Sequence, residues 1–278
     1  MSALETDADM RNTLYDKLWE RHRIAALAAD LDWLYVDRHY IYQMNSSQME
    51  AIRTAGLGVA RPQRTIGVMD HSISSAPGRE QTAPWTSKFI KMMRVESRIA
   101  GIPLLDENTP DQGIAHVSGP ELGLTLPGML VLCGDSHTST NGAVGALAWG
   151  IGATEIQTVL ATQTIAQRKA KPMRVRFEGT MGPGVTSKDL VLALIGRHGT
   201  DGGVGHAVEF AGAAVRSMNM DARMTLCNMS IEFGAKWGIV AVDDTTIQYS
   251  ATRPYGPKGR LLDEAILDWR TLPSDADA

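Results

Sequence analysis

The sequence has little cysteine and no concentration of positive charge, and each shortage excludes a class of protein. Only two of the 278 residues are cysteine, Cys133 and Cys227, and they lie far apart in the chain. Two such cysteines provide neither a disulfide framework nor a Cys-x-x-Cys metal site. Lysine and arginine are scattered through a chain of net charge -4, so no basic surface for nucleic acid is expected.

Long apolar runs are also missing. No run approaches the roughly 20 residues of a membrane-spanning helix. The stretch Met1 to Arg11 is polar and acidic, whereas a signal peptide begins basic and continues apolar. We therefore expect a cytoplasmic enzyme that binds neither nucleic acid nor a membrane. A hydrophobic content of 44% is enough for a sizeable core in one or two domains.

The most informative stretch present is Leu-Val-Leu-Cys-Gly-Asp-Ser-His-Thr, residues 130–138. Its four apolar residues predict a strand buried on both faces, and Gly134 permits an abrupt turn. Asp135, Ser136 and His137 would then follow a strand end, where open α/β sheets bind their ligands. Taken alone, the same residues also fit a polar turn in which Asp135 and Ser136 cap backbone amides.

Three other stretches carry similar chemistry. Thr65 to Met69 predicts a strand that ends in Asp70-His71, and an aspartate beside a histidine can orient the imidazole or raise its basicity. Gln112 to His116 brings another histidine to the end of a small apolar run. Trp33 to Val36 predicts a strand followed by Asp37-Arg38-His39, with Gln43 a few residues later.

Helical spacing alternates with these strands. We predict helices over Thr13 to Ala29, Ser47 to Gly56, Thr86 to Ala100, Ala153 to Arg168, Thr186 to Arg197 and Met224 to Glu232, an irregular loop over Ser72 to Thr82, and further strands over Met173 to Phe177 and from Val208. In the last helix, Asn228 and Glu232 would lie one turn apart on one face. The alternation indicates an α/β fold, layered α/β/α with mostly parallel sheets, in two domains, 1–170 and 171–278.

At these residues the chain resembles the aconitase superfamily, and most closely the family of 3-isopropylmalate dehydratase large subunits. The resemblance spans nearly the whole chain in the family's order. It rests on Asp37-Arg-His39, Met69-Asp-His71, Gln112-Gly-Ile-Ala-His116, Gly119-Pro-Glu121, Leu126-Pro-Gly128, Cys133-Gly-Asp-Ser-His-Thr138, Gly145 to Gly152, Leu160-Ala-Thr-Gln163, and Met224-Thr-Leu-Cys-Asn-Met229 with Glu232.

The resemblance implies the first two domains of an aconitase-like fold and a hydro-lyase or isomerase acting on a small carboxylate. It places six residues at the family's catalytic, proton-transferring positions: Asp70, His71, His116, Asp135, His137 and Glu232. It assigns substrate or cluster contacts to Gln43, Ser136 and Asn228, and we assign His39 to substrate binding as well. Gln43 stands where aconitases carry glutamine and isopropylmalate enzymes usually carry an acidic residue, so the resemblance does not choose among the family's hydroxy-carboxylates.

The resemblance also shows what this chain lacks. The family holds a 4Fe-4S cluster with three cysteines in a third domain, and neither Cys133 nor Cys227 matches those positions. We therefore expect that this chain alone cannot ligate the family's cluster. The arginines that bind substrate carboxylates in the family also belong to its later domains.

Three explanations follow. The chain is the first part of a dehydratase, as a split subunit or a fragment. Alternatively, it is a repurposed enzyme that uses acid–base chemistry without a cluster, or binds one divalent ion, Zn²⁺ or Fe²⁺, through His71, His116 and His137. The third explanation is a non-catalytic subunit. Because an aconitase-like first domain without its later domains leaves an apolar face uncovered, we expect a homo-oligomer or a partner subunit.

Overall fold

The computed structural model describes residues 12–75, 84–107, 109–276 and 278. The polar stretch Met1 to Arg11 and most of the predicted loop Ser72 to Thr82 lie outside the described residues.

The described elements alternate along the chain as the sequence predicts. The α-helices are α1 Leu14–His22, α2 Ser46–Thr54, α3 Pro84–Ala100, α4 Ala115–Leu122, α5 Ala153–Thr162, α6 Ser187–His198, α7 Ala213–Arg216, α8 Met220–Asn228, α9 Asp244–Ala251 and α10 Arg260–Trp269. The strands are β1 Arg23–Ala28, β2 Leu31–Tyr35, β3 Arg38–Tyr42, β4 Thr65–Val68, β5 Leu104–Leu105, β6 Leu130–Cys133, β7 Leu147–Gly150, β8 Thr164–Arg168, β9 Lys171–Arg176, β10 His206–Ala211 and β11 Trp237–Val240. A 3-10 stretch, Ser136–Val144, follows β6.

A five-stranded sheet positions the residues of interest. Its strand order is β5-β4-β3-β6-β7, and all of its pairs are parallel. The carboxyl ends of all five strands therefore lie at one edge of the sheet. The chain order reverses on the two sides of β3, which makes the crevice between β3 and β6 the topological switch point where such sheets bind ligands.

Both faces of this sheet are buried, as the apolar run in β6 predicts. Leu130 and Leu132 belong to one hydrophobic core, which also contains residues of α1, α2 and α5. Val131 and Cys133 point to a second core. Because successive side chains of a strand point to opposite faces, a continuous apolar run is what a strand between two cores requires.

The later part of the chain adds a parallel sheet in the order β11-β10-β9. Ala207 of β10 packs in the first core and Val208 in the second, so both cores extend across the predicted boundary at residue 170. That boundary coincides with the start of β9. The division into domains 1–170 and 171–278 stays a prediction, whereas the α/β class with mostly parallel sheets is confirmed.

Two predicted helices are too long. The helix predicted over Thr13 to Ala29 ends at His22, and residues 23–28 form β1, which pairs antiparallel with β2. The helix predicted over Ala153 to Arg168 ends at Thr162, and residues 164–168 form β8 on the other side of β2. The alanine-rich segment 23–28 has a local preference for helix and the segment 164–168 has a mixed sequence, and in both places pairing with β2 decides the conformation.

The helix predicted over Met224 to Glu232 is displaced. It begins earlier, where the Asn219 side chain accepts from the amide of Ala222, and it ends at Asn228. Glu232 lies in the turns that follow, so Asn228 and Glu232 do not share a helical face. This turn packs closely on β11, because a Cβ on Gly238 would approach the Ser230 side chain to 2.7 Å.

None of the described helices is both long enough and apolar enough to cross a bilayer.

Candidate active site

Most of the predicted site residues lie at one edge of the five-stranded sheet, just after the ends of its strands. Asp70 and His71 follow β4, and Asp135, Ser136 and His137 follow β6. His116 lies in the first turn of α4 and Glu232 lies after α8. The structure brings all of these except Ser136 into one chain of imidazole–carboxylate contacts, and Ser136 is hydrogen-bonded to that chain through His137.

Asp135 is the centre of this chain. Its Oδ1 accepts from the His137 backbone amide at 2.7 Å and lies 3.1 Å from His116 Nε2. Its Oδ2 lies 3.1 Å from His71 Nε2. The hydrogen bonds from His116 and then from His71 hold the pKa of Asp135 far below its usual range, although partial burial acts in the opposite direction. Asp135 is therefore a carboxylate at every physiological pH.

His71 lies between two carboxylates. Its Nδ1 is 2.5 Å from Asp70 Oδ1, while its Nε2 faces Asp135. Carboxylate oxygens only accept, so both ring nitrogens must carry protons. The hydrogen bonds to Asp135 and then to Asp70 raise the pKa of His71 from 6.5 to about 10. Asp70 is itself fixed, since its Oδ2 accepts from the Ala115 amide at 3.0 Å.

Tyr42, at the end of β3, holds the His71 ring from one face. The two rings stack with centroids 4.1 Å apart and planes inclined by 23°. The Tyr42 hydroxyl donates to the Gly134 carbonyl at 3.1 Å, so one side chain contacts both the His71 loop and the Asp135 loop. No motif in the sequence singled out Tyr42. Its position directly before Gln43, at a strand end, was the only available signal.

His116 is nearly buried and has one free ring nitrogen. Its Nε2 faces Asp135, whereas no hydrogen-bond partner for the buried Nδ1 occurs among the described residues. With the proton on Nε2, the buried Nδ1 is a hydrogen-bond acceptor.

His137 connects Glu232 with Asp135, because its Nδ1 lies 3.9 Å from Asp135 Oδ1 and its backbone amide donates to the same oxygen. Its Nε2 lies 2.8 Å from Glu232 Oε1, and its Nδ1 lies 3.1 Å from Ser136 Oγ. Both side chains are solvent-accessible, at 35% for His137 and 44% for Glu232. Asn228 supports the same loop, because its Nδ2 donates at 2.9 Å to Thr140 Oγ1, which in turn donates to the His137 carbonyl.

Gln43 and His39 are not part of this chain of imidazole–carboxylate contacts. His39 is fully buried within β3, and burial lowers its pKa to about 3. Gln43 is also buried, at the carboxyl end of the same strand. Neither side chain forms a hydrogen bond with any part of the chain that the structure describes. Their assignment to substrate binding stays a prediction.

A glycine sets the distance between two site loops. A Cβ on Gly150, at the end of β7, would lie 2.4 Å from the Asp135 carbonyl oxygen. Only glycine lets the β7 end pass so close to the backbone that carries Asp135 and Ser136.

The geometry gives no support to a single metal ion held by His71, His116 and His137. Within the described ranges, no group of three or more histidine, cysteine or acidic side chains is arranged to hold a metal ion. Cys133 and Cys227 lie in β6 and α8, both fully buried, and burial raises the pKa of each thiol.

Comparison with known proteins gives two matches. The sequence profile of the aconitase family (aconitate hydratase) matches residues 16–278. The 3-isopropylmalate dehydratase large subunit 1 of Bradyrhizobium diazoefficiens is 50% identical over 267 residues, which are 96% of this chain and 56% of that subunit. The chain thus spans a little over half the length of the curated relative that it matches.

Proposed function

Because the chain belongs to the aconitase family, we propose that it supplies the acid–base part of a hydro-lyase active site of the 3-isopropylmalate dehydratase type. Its substrate would be a small hydroxy-carboxylate. One observation carries the proposal: three imidazoles and three carboxylates from separate segments meet in one connected cluster. Such a cluster holds protons at defined atoms, as the loss and return of a hydroxyl group require.

His71 suits the role of the acid. Hydroxide is a poor leaving group, because its conjugate acid, water, has a pKa of about 15.7. The leaving hydroxyl group must therefore be protonated by an acid. An imidazolium with a pKa of about 10 is a much stronger acid than that water, and it is fully protonated at neutral pH. Asp70 and Asp135 keep the proton on the ring until a stronger base arrives.

His137 suits proton transfer at the open side of the site. Its side chain is 35% exposed, with Glu232 orienting Nε2 and Ser136 contacting Nδ1. One ring nitrogen can therefore gain a proton while the other is held in place. His116, through its free Nδ1, offers a buried acceptor close to Asp135.

Enzymes of this family bind a 4Fe-4S cluster, and the residues of this chain do not fit one. Such clusters are held mainly by cysteine thiolates. This chain has only Cys133 and Cys227, which are buried in different elements. We propose that the cluster ligands come from sequence outside this chain, corresponding to the part of the relative that the match does not cover.

A partner is part of the proposal. The relative is named a large subunit, and this chain covers only 56% of it. We propose that the active unit contains the missing part of the large subunit together with a further subunit. A second copy of this chain alone would not provide the missing ligands.

A chimera tests the proposed function. In it, this chain replaces the matching part of the Bradyrhizobium subunit, which is expressed with its remaining subunit. We expect the chimera to interconvert isopropylmalates, and His137→Ala to lower kcat by about a hundredfold or more, as loss of a general acid–base group does. Lys91→Met, on the exposed side of α3, is the control and should retain activity.

A chimera that folds and binds its cluster but has no turnover would contradict the proposal and favour a non-catalytic subunit. Unchanged turnover in His137→Ala would remove His137 from the site.

A further inference from the structure

A cavity of about 400 Å³ opens beside the His137–Glu232 pair. It is lined by the side chains of the α8 end and of two neighbouring segments, namely Thr140, Lys188, Met224, Thr225, Asn228, Met229 and Glu232. Its volume lies in the range of small-molecule sites. Lys188 is the second residue of α6, and no sequence motif identified it.

Within the described residues, the imidazole–carboxylate cluster itself provides no free cation for a carboxylate group of the substrate. The cluster contains three carboxylates, Asp70, Asp135 and Glu232, and every imidazole already faces one of them. An anionic substrate needs a cation that is not already neutralised. Lys188 is the single cation in the cavity lining, and it forms no ion pair with the described residues.

Asp189, the nearest acidic neighbour in sequence, forms no ion pair with Lys188; the hydrogen bonds from Thr186 and, to a smaller extent, the charge of Lys188 lower its pKa. Asp189 accepts through Oδ2 from the backbone amide and the hydroxyl of Thr186 at 2.8 and 2.7 Å, which closes the first turn of α6. Asn228, which also lines the cavity, adds a hydrogen-bond donor. It has two amide hydrogens, and one of them is given to Thr140.

We propose that this cavity is a carboxylate subsite, in which the Lys188 ammonium and the Asn228 amide bind one carboxylate group of the substrate. The inference rests on the proposed function, because it assigns a position to the substrate of that same site. Lys188 acts by binding and orienting the substrate. The bound carboxylate would place the adjoining carbons beside His137 and Glu232.

Binding of the dicarboxylate malate to the purified chain tests the subsite. Titration is followed by NMR of the Asn228 side-chain amide and of the His137 ring. We expect saturable binding to the wild-type chain and a loss of about tenfold or more in affinity in Lys188→Met, the usual effect of removing a charge-assisted hydrogen bond. Lys188→Arg should retain most of the affinity, and Lys91→Met, which removes an exposed lysine outside the cavity, should be unchanged.

Three results would overturn the subsite: no saturable binding of malate to the wild-type chain, equal affinity in the wild type and Lys188→Met, or an equal loss in Lys91→Met. The chimera separates this inference from the proposed function. An active chimera whose KM is unchanged by Lys188→Met overturns the subsite and leaves the function. An inactive chimera, with malate binding that depends on Lys188, overturns the function and leaves the subsite.

Discussion

At the scale of single residues, the site depends on side chains that fix one another. Tyr42 is the case that sequence patterns could not supply. It stacks on His71 and donates to the Gly134 carbonyl, so its ring faces an imidazolium while its hydroxyl holds the Asp135 loop. A ring over a cation stabilises the charged form.

Tyr42→Leu should therefore lower the pKa of His71. Cation–π attraction at a partly exposed site amounts to about 0.5–1 kcal/mol, which corresponds to about half a pKa unit. Tyr42→Phe keeps the ring and serves as the matched control, with a smaller change. NMR titration of the His71 ring measures both. An equal pKa in the wild type and Tyr42→Leu would show that the stacked ring contributes nothing to the charge.

At the scale of elements, sequence patterns locate the site well because its residues follow short, doubly buried strands. The predicted ends of β4 and β6 lie within one residue of the observed ends. Asp70 and Asp135 each follow after one intervening residue, and His71 comes next after Asp70. Both strands are buried over their whole length, and the continuous apolar run of β6 is the pattern that burial between two cores produces.

Local sequence patterns do not predict the structure of segments whose conformation is decided by contacts with other elements. Arg23–Ala28 reads as a continuation of α1 until β2 is available to pair with it. The α5 helix ends because Gln163 adopts a φ of +60°, after which β8 pairs with β2. Glu232 reaches His137 through turns beyond α8, a long-range contact that spacing within one helix cannot predict.

Gly150→Ala tests the close contact between two of these elements. The new Cβ would meet the backbone of Asp135, which has no freedom to move away as a flexible side chain does. We expect a loss of about 1–3 kcal/mol in the free energy of unfolding, the usual cost of overpacking. Urea denaturation provides the measurement.

Gly196→Ala, inside α6, is the matched control. No described atom lies within 4 Å of the added Cβ, and alanine is the better helix former by roughly 1 kcal/mol. Stability should therefore stay the same or rise. Equal losses in the two variants would refute the steric explanation for Gly150.

At the scale of the whole molecule, the charged cluster makes stability depend on pH at both ends of the range. The folded pKa of His71 lies above its unfolded value. Its contribution to the free energy of unfolding is therefore complete below about pH 6.5 and is lost as the pH rises through about 10. The folded pKa of Asp135 lies below its unfolded value of 3.8, so its contribution is complete above that value and is lost at lower pH.

We expect the urea midpoint of the wild-type chain to fall between about pH 6.5 and about pH 10. The His71→Gln variant should show a flatter decline over the same interval, because it has no proton to lose there. The difference in decline between the wild type and His71→Gln will be smaller than the full pKa shift suggests, because the His71 side chain is 40% exposed and solvent screens its charge. Parallel declines in the two proteins would assign the pH dependence to other groups.

The central claim is that Asp135 unites the imidazoles of separate segments into one proton-holding network. NMR titration of the histidine rings in Asp135→Asn tests it most directly, with Asp70→Asn for comparison. We predict that Asp135→Asn lowers the pKa of His71 from about 10 by about one unit, more than Asp70→Asn does, and shifts the His116 ring signals in the same variant. An unchanged His71 pKa, with His116 undisturbed, would contradict the account.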